Sequence, residues 1–191
     1  MISCLIAGVG GQGTVLASKL IAVAAMEKGL AVRTTETIGM AQRGGSVVSH
    51  VRMGDIIHAP LIPIGEADLI IAFEPAEAVR VLPYLKKGGH VIVCDSPIQP
   101  ATGGNYDVQG MLAYLKDTAA NTAIINGEGL FSKCEAKALN VALLGAALEC
   151  GVLPFDRASF VNTIRNGVPE RFLTMNLNAF DVGGKMYHEA T

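Results

Sequence analysis

The feature that most constrains this chain is a glycine loop, Gly8-Val9-Gly10-Gly11-Gln12-Gly13. It sits between a short apolar run, Ile2 to Ala7, and an Ala- and Leu-rich stretch from about Gln12 to Lys28 that Gly29 stops. A strand turning through Gly-x-Gly-x-x-Gly into a helix is the opening of a βαβ unit. One glycine makes the tight turn, one lets a ligand approach the backbone, and one lets helix and strand pack closely. The amides at the helix start, aided by the helix dipole, then form an anion site. A second glycine loop, Gly39-Met40-Ala41-Gln42-Arg43-Gly44-Gly45-Ser46, places a guanidinium where an ordinary first βαβ unit runs on smoothly.

Strand-like and helix-like segments alternate through the chain. Ala31–Glu36 reads as a second strand. Ser46–Arg52 alternates without the solid apolar run of a central parallel strand, so it is expected to be partly exposed and either antiparallel or at an edge. Leu69–Phe73 and His90–Cys94 read as buried strands on either side of a Pro75–Leu85 helix, and Ala123–Asn126 as a weaker one. Pro97–Asn105 reads as a loop. The best later helix is Glu135–Cys150, apolar all round and so buried, either within the subunit or at an interface that its Gly145-Ala146-Ala147 surface would favour. Asp156 caps a helix ending at Gly167, and Pro169–Phe180 reads as the last. The expectation is one domain over residues 1–191, a three-layer α/β/α sandwich. Its sheet should be Rossmann-like and mostly parallel, with strand 1 central and one irregular or antiparallel strand.

Composition narrows the function. The 191 residues hold 15 Lys and Arg against 17 Asp and Glu, for a net charge of −2 without charge blocks, so no nucleic-acid footprint is expected. Hydrophobic residues make up 50% and mean hydropathy is +0.40, yet no apolar run reaches the ~20 residues of a membrane span. The excess is expected to be core, or surface that a partner covers. Strand 1 begins at once, which leads to the expectation of a cytoplasmic protein. Cys4, Cys94, Cys134 and Cys150 have no metal-ligand spacing, so neither an iron–sulfur cluster nor structural zinc is expected here. His50, His58, His90 and His188 form no ligand pair.

The candidate contacts for a cofactor are Gly8, Gly10, Gly11, Gln12 and Gly13 of the first loop, Glu36, and Arg43, Gly44 and Gly45 of the second. Glu36 ends strand 2 roughly twenty residues beyond Gly13, where a dinucleotide fold keeps the acid for a ribose hydroxyl. Taken alone this favours NAD. Against it, Gln12 puts a bulky amide at the helix entrance, Glu36 runs into a loop rather than a helix, and no substrate-handling His, Lys or Tyr follows. If both loops share one rim, Gly10–Gly13 and Arg43 form an anion-binding corner, since a guanidinium forks onto phosphate or carboxylate. The alternative for Arg43 is a pairing with Glu36 or with loop carbonyls.

The first loop, Glu36 and the run Gly39 to Arg52 together resemble the gamma subunit or domain of 2-oxoacid:ferredoxin oxidoreductases, in the small-subunit form that serves indolepyruvate. Asn140, Leu144-Gly145-Ala146, Asn176-Leu177-Asn178-Ala179-Phe180 and Gly183 extend the resemblance nearly to the end of the chain. The resemblance implies a subunit, inactive alone, of an enzyme that oxidatively decarboxylates a 2-oxoacid to an acyl-CoA. Ferredoxin takes the electrons. Thiamine diphosphate and iron–sulfur clusters would sit on a larger partner subunit, with coenzyme A near this chain and ferredoxin reached through the complex. Two other readings remain open: a free-standing NAD(P)-binding oxidoreductase, and a regulatory nucleotide-binding module.

Overall fold

The computed structural model describes residues 1–37, 45–99 and 106–191. The strands are β1 (Ile2–Val9), β2 (Ala31–Glu36), β3 (Ser46–Gly54), β4 (Ala67–Ala72), β5 (Leu85–Cys94) and β6 (Asn121–Ile125). The helices are α1 (Thr14–Glu27), α2 (Pro75–Val81), α3 (Val108–Thr118), α4 (Gly127–Lys133), α5 (Leu139–Glu149), α6 (Arg157–Gly167) and α7 (Leu173–Ala190). The strands form one six-stranded sheet in the order β2-β3-β1-β4-β5-β6.

β1, β4, β5 and β6 pair in parallel, whereas β3 is antiparallel to both β1 and β2. The stretch between Glu36 and Ser46 is too short for a helical crossover, which takes a dozen or more residues, so the chain can only turn back on itself. β3 is therefore the one reversed strand, as expected from its weak apolar run. It is neither at an edge nor largely exposed: β1 and β2 flank it, and Val47, Ser49, His50, Val51 and Met53 are buried. The edge strand on that side is β2, whose Arg33 and Thr34 are exposed, and β6 closes the other side.

Alternation along the strands divides the core in two. Cys4, Ile6, Leu69, Ile71, Ile92 and Ile125 face α1, α5, α6 and α7. Leu5, Ala7, Ile70, Ala72, Val91 and Val93 face α2 and α3 on the other side. Residues with a period of two on a sheet covered on both faces leave little room for polar side chains, hence the unbroken apolar runs in β1 and β4.

The α5 helix is buried from Leu139 to Leu148, and its cover is α7. A Cβ on Gly145 would stand 2.0 Å from the Phe180 carbonyl oxygen, and one on Gly183 would stand 1.8 Å from that of Ala142. Backbone touches backbone at this crossing. The small-residue surface of α5 is thus filled by the chain's own last helix, which settles the choice between burial and an interface in favour of burial. That helix runs to Ala190, well past Phe180, because Gly183 and Gly184 are interior packing residues and not a stop. The expected Glu135–Cys150 helix is divided, a 3-10 turn at Ala136–Ala138 preceding α5. Likewise the expected Pro75–Leu85 helix stops at Val81, a 3-10 turn takes Leu82–Tyr84, and Leu85 already lies in β5, which runs through Lys86 to Gly89.

Candidate functional site

The carboxyl ends of β1, β4, β5 and β6 form a rim, and the first glycine loop sits at its centre. The Gln12 amide organises that loop. Its Oε1 accepts from the Val9 amide at 2.7 Å, and its Nε2 donates to the Phe73 carbonyl at 3.3 Å, joining the ends of β1 and β4. Gly8 lies beneath it, where a Cβ would meet Gln12 Oε1 at 2.8 Å and Phe73 Cδ2 at 3.0 Å. Gly8 is therefore a packing glycine, and Gln12 a brace.

The Gln12 backbone N–H turns back to the Val9 carbonyl at 3.0 Å, and the Gly10 N–H donates to the Gly45 carbonyl at 2.9 Å. That bond brings Gly45 against the first loop. It also takes up the Gly10 donor that an anion would otherwise use. Gly13 caps α1 with φ +84°, a left-handed conformation that side chains rarely adopt, and Asn140 Nδ2 donates to its carbonyl at 3.3 Å. Donors left to face a ligand are the Gly11 N–H, which has no partner among the described residues, and the first-turn amides of α1. With the helix dipole they make a shallow anion corner.

Gly11 and Gln12 also wall a cleft of about 270 Å³, completed by Ser96, Ile98, Phe131, Ala136, Lys137 and Leu139. Lys137 is its one lining cation among the described residues. The lysine pairs with Glu135 at 2.8 Å, but both side chains are more than half exposed, so the pair holds it weakly. Ser96 and Lys137 were not legible as site residues. Their only local signal is position, just past a strand end and just before a helix, and the residues they meet are far away in sequence. A neighbouring helix start carries no such vacancy for an anion: Asp95 Oδ1 accepts from the Gly127 amide at 2.6 Å, so the chain's own carboxylate caps α4.

Glu36 is not placed as a dinucleotide fold would need. β3 separates its strand from β1, and Glu36 Oε1 accepts from the buried Ser18 hydroxyl at 2.9 Å, tying β2 to α1. Arg43 and Gly44 lie outside the described residues. Sequence reasoning also passed over two buried carboxylates at the head of α2. Glu74 caps that helix through the Glu77 amide at 2.7 Å and accepts from the Tyr106 hydroxyl; Glu77 accepts from Ser46 Oγ. Burial, and then the bond to Glu74, push the Tyr106 phenol well above its usual range.

Cofactor chemistry finds few ligands here. Among the described residues no group of three or more His, Cys, Asp or Glu side chains is placed to hold a metal ion. Burial keeps the Cys4 thiol protonated and raises that of Cys94 to about 11, the reverse of what a thiolate ligand needs. No described helix is long and apolar enough to cross a membrane.

Comparison with known proteins bears on the chain as a whole. A family model described as pyruvate ferredoxin/flavodoxin oxidoreductase matches residues 3–186. The chain is 37% identical over 184 residues to the indolepyruvate oxidoreductase subunit IorB of Methanothermobacter thermautotrophicus, covering 93% of each. To the subunit of the same name from Pyrococcus horikoshii it is 36% identical over 196 residues, covering 97% of this chain and 95% of that one. Among solved structures, the keto/oxoacid ferredoxin oxidoreductase gamma subunit of Geobacter sulfurreducens superimposes with a TM-score of 0.73 at 24% identity. The match covers 99% of this chain and 97% of that one, and at this identity it speaks for the fold.

Proposed function

This chain belongs to the pyruvate ferredoxin/flavodoxin oxidoreductase family, and on that premise we propose that it is the subunit without resident cofactors of a 2-oxoacid:ferredoxin oxidoreductase acting on indolepyruvate or a related arylpyruvate. The enzyme decarboxylates the 2-oxoacid oxidatively to an acyl-CoA and passes the electrons to ferredoxin. Residues 1–191 act as one gamma-type domain. The observation that carries the reading is end-to-end similarity, above a third identical, to chains named as indolepyruvate oxidoreductase subunits.

The chemistry of the chain supports the division of labour. Oxidative decarboxylation needs an electron sink for the carbanion and a one-electron path out, and such chemistry belongs to cofactors rather than side chains. The buried Cys4 and Cys94 thiols, and a rim without a metal-ligand cluster among the described residues, do not suit an iron–sulfur cluster, and on this reading the clusters and thiamine diphosphate reside on the larger subunit. Ferredoxin is reached through that subunit. Neither nucleic acid nor membrane is a partner, and the complex works in the cytoplasm.

This chain contributes the rim. Gly11, Gly13 and the α1 amides, with Lys137 across the cleft, hold the phosphates of coenzyme A. Arg43, two residues ahead of Gly45 in sequence, adds a guanidinium. Gly8, Gly10, Gln12 and Gly45 shape the first loop and its contact with the second. A free-standing NAD enzyme fits less well, because Gln12 braces the loop and Glu36 is engaged by Ser18. Reconstitution tests the proposal: purified chain is mixed with the larger subunit, and arylpyruvate-dependent dye reduction is followed. Activity that needs both chains and coenzyme A is expected. Full coenzyme-A-dependent turnover by the larger subunit alone overturns it.

A further inference from the structure

We infer that Ser46 and Glu77 are positioning residues for the first glycine loop. The bond between their side chains holds the Gly45 carbonyl where the Gly10 N–H can donate to it, and so fixes the loop that faces the ligand. The inference rests on the reading of that loop as a phosphate-binding corner, and adds two residues outside it.

A relay of bonds runs from α2 to the loop. β3 opens at Ser46, which faces Val9 in the last pair of the antiparallel ladder with β1. Strand ends are where a sheet opens first, because little beyond them holds the backbone. One residue further out, the Gly45 carbonyl accepts from Gly10 at 2.9 Å. With a side-chain period of two, Ser46 shares a face with Val48, which packs on the α2 side of the sheet. Its hydroxyl donates to Glu77 Oε2. The end of the strand is thereby stapled to a helix by a side chain and not by the ladder alone.

Glu77 is a firm anchor. It is 5% exposed, its Oε1 accepts from Arg80 Nε at 3.2 Å, and its backbone N–H donates to Glu74 Oε1 at 2.7 Å. Glu74, 1% exposed, accepts from the Tyr106 hydroxyl with its other oxygen. All four oxygens of these two buried carboxyl groups therefore have donors. A buried carboxylate that lost one would keep the cost of its desolvation, so Glu77 holds the Ser46 hydroxyl more strongly than a neutral acceptor would. The loop is gripped on its β4 side by the Gln12 bond to Phe73 and on its β3 side by the Gly10 bond to Gly45. Only the second grip depends on α2. Without the staple, the loop enters binding with more conformations to lose, which weakens affinity and leaves the turnover of bound ligand untouched.

The experiment has two readouts. In the full chain, Ser46→Ala is expected to speed amide exchange at Gly10 about tenfold, followed by NMR. Exchange at Phe73, whose N–H donates to the Ala7 carbonyl at 2.9 Å on the same rim, is expected to stay as in wild type. In the enzyme assembled with its larger subunit, the same variant is expected to raise KM for coenzyme A about tenfold, with kcat and KM for the 2-oxoacid unchanged. Ser46→Thr keeps the hydroxyl, suits a strand, and is expected to restore both readouts. Should Ser46→Ala fail to fold, Glu77→Gln takes its place, a weaker neutral acceptor with the same direction of change expected. A lowered melting temperature with Gly10 exchange unaltered overturns the inference. So does equal acceleration at Gly10 and Phe73, or a rise in both KM values, since the bond is then general support. Faster exchange at Gly10 alone, with KM for coenzyme A unaltered, overturns the phosphate reading of the loop and with it the functional part of the inference. A wild-type assembly whose turnover ignores coenzyme A overturns the subunit reading itself.

Discussion

Replacing Gly183 by alanine tests the packing that seats α5 beneath α7. A Cβ at that position would lie 1.8 Å from the Ala142 carbonyl oxygen, 2.5 Å from its carbon and 2.9 Å from its Cα. Carbon–oxygen pairs settle at roughly 3.3 Å, so the two helices must part by roughly 1.5 Å locally. The groups facing the methyl are backbone and cannot rotate away. Overpacking of a rigid site costs about 1–3 kcal/mol, and more where nothing yields. Against this, glycine to alanine in a helix interior gains about 1 kcal/mol of propensity. Gly184 supplies the control, because it shares the helix and the same propensity gain. Its added Cβ would meet only Glu149 Cγ at 3.4 Å and the tips of the Glu149 and Arg157 side chains. Because nothing yields at Gly183, the top of that range less the propensity gain applies: Gly183→Ala is expected to lose about 2 kcal/mol or more, and Gly184→Ala to be neutral or up to about 1 kcal/mol more stable. For a chain of this size that separates the two melting temperatures by roughly 10 °C. Thermal and urea denaturation of both variants measure it, with an unchanged urea m-value showing that the native state alone was perturbed. Equal stability of the two variants would falsify the backbone-to-backbone crossing.

Gln12→Ala removes the acceptor of the Val9 amide and the donor to Phe73, so a loss of about 1–3 kcal/mol in urea unfolding is expected, together with weaker coenzyme A binding in the assembled enzyme. Lys137→Ala should raise KM for coenzyme A about tenfold, since one ammonium–phosphate interaction is worth about 1.4 kcal/mol. The same change should leave the melting temperature alone, because the pair with Glu135 is exposed. An unchanged KM removes Lys137 from the site. Burial holds the His50 imidazole below its usual pKa of 6.5, so the unfolded chain takes up the proton first and stability is lost as pH falls beneath that value. His50→Asn, whose Oδ1 can accept from Ile62 in place of Nδ1, should flatten that fall in stability below pH 6.5, read by thermal melts.

The extent to which this molecule is legible in its residues depends on how local each cause is. β1, β4 and the Val91–Cys94 half of β5 are apolar runs of strand length, and their class follows from composition and length alone, whereas the Lys86–Gly89 half of β5 is set by its pairing with β4. The turn at Gly13 is also local, since only glycine sits comfortably at φ +84°. The reversal of β3 follows from a connection too short for a crossover, yet its place between β1 and β2 does not, because sheet order is fixed by which faces α1 and α5 cover. Gly183 and Gly184 look like a helix stop by propensity; the close crossing with Gly145 overrides that preference and keeps the helix going.

At the rim the division is the same. The glycine loop, and with Arg43 and Glu36 the family, could be read from adjacent residues. Three things could not: the Gln12 brace to Phe73, the engagement of Glu36 by Ser18, and the cleft that joins Gly11 to Ser96 and Lys137. Each pairs side chains from elements far apart in sequence, and a single chain's periodicity does not encode such pairings. The sequence determined what kinds of element form and where the backbone can turn. Packing of those elements on a two-sided sheet decided which polar groups are taken up within the protein and which are left facing a ligand or a partner.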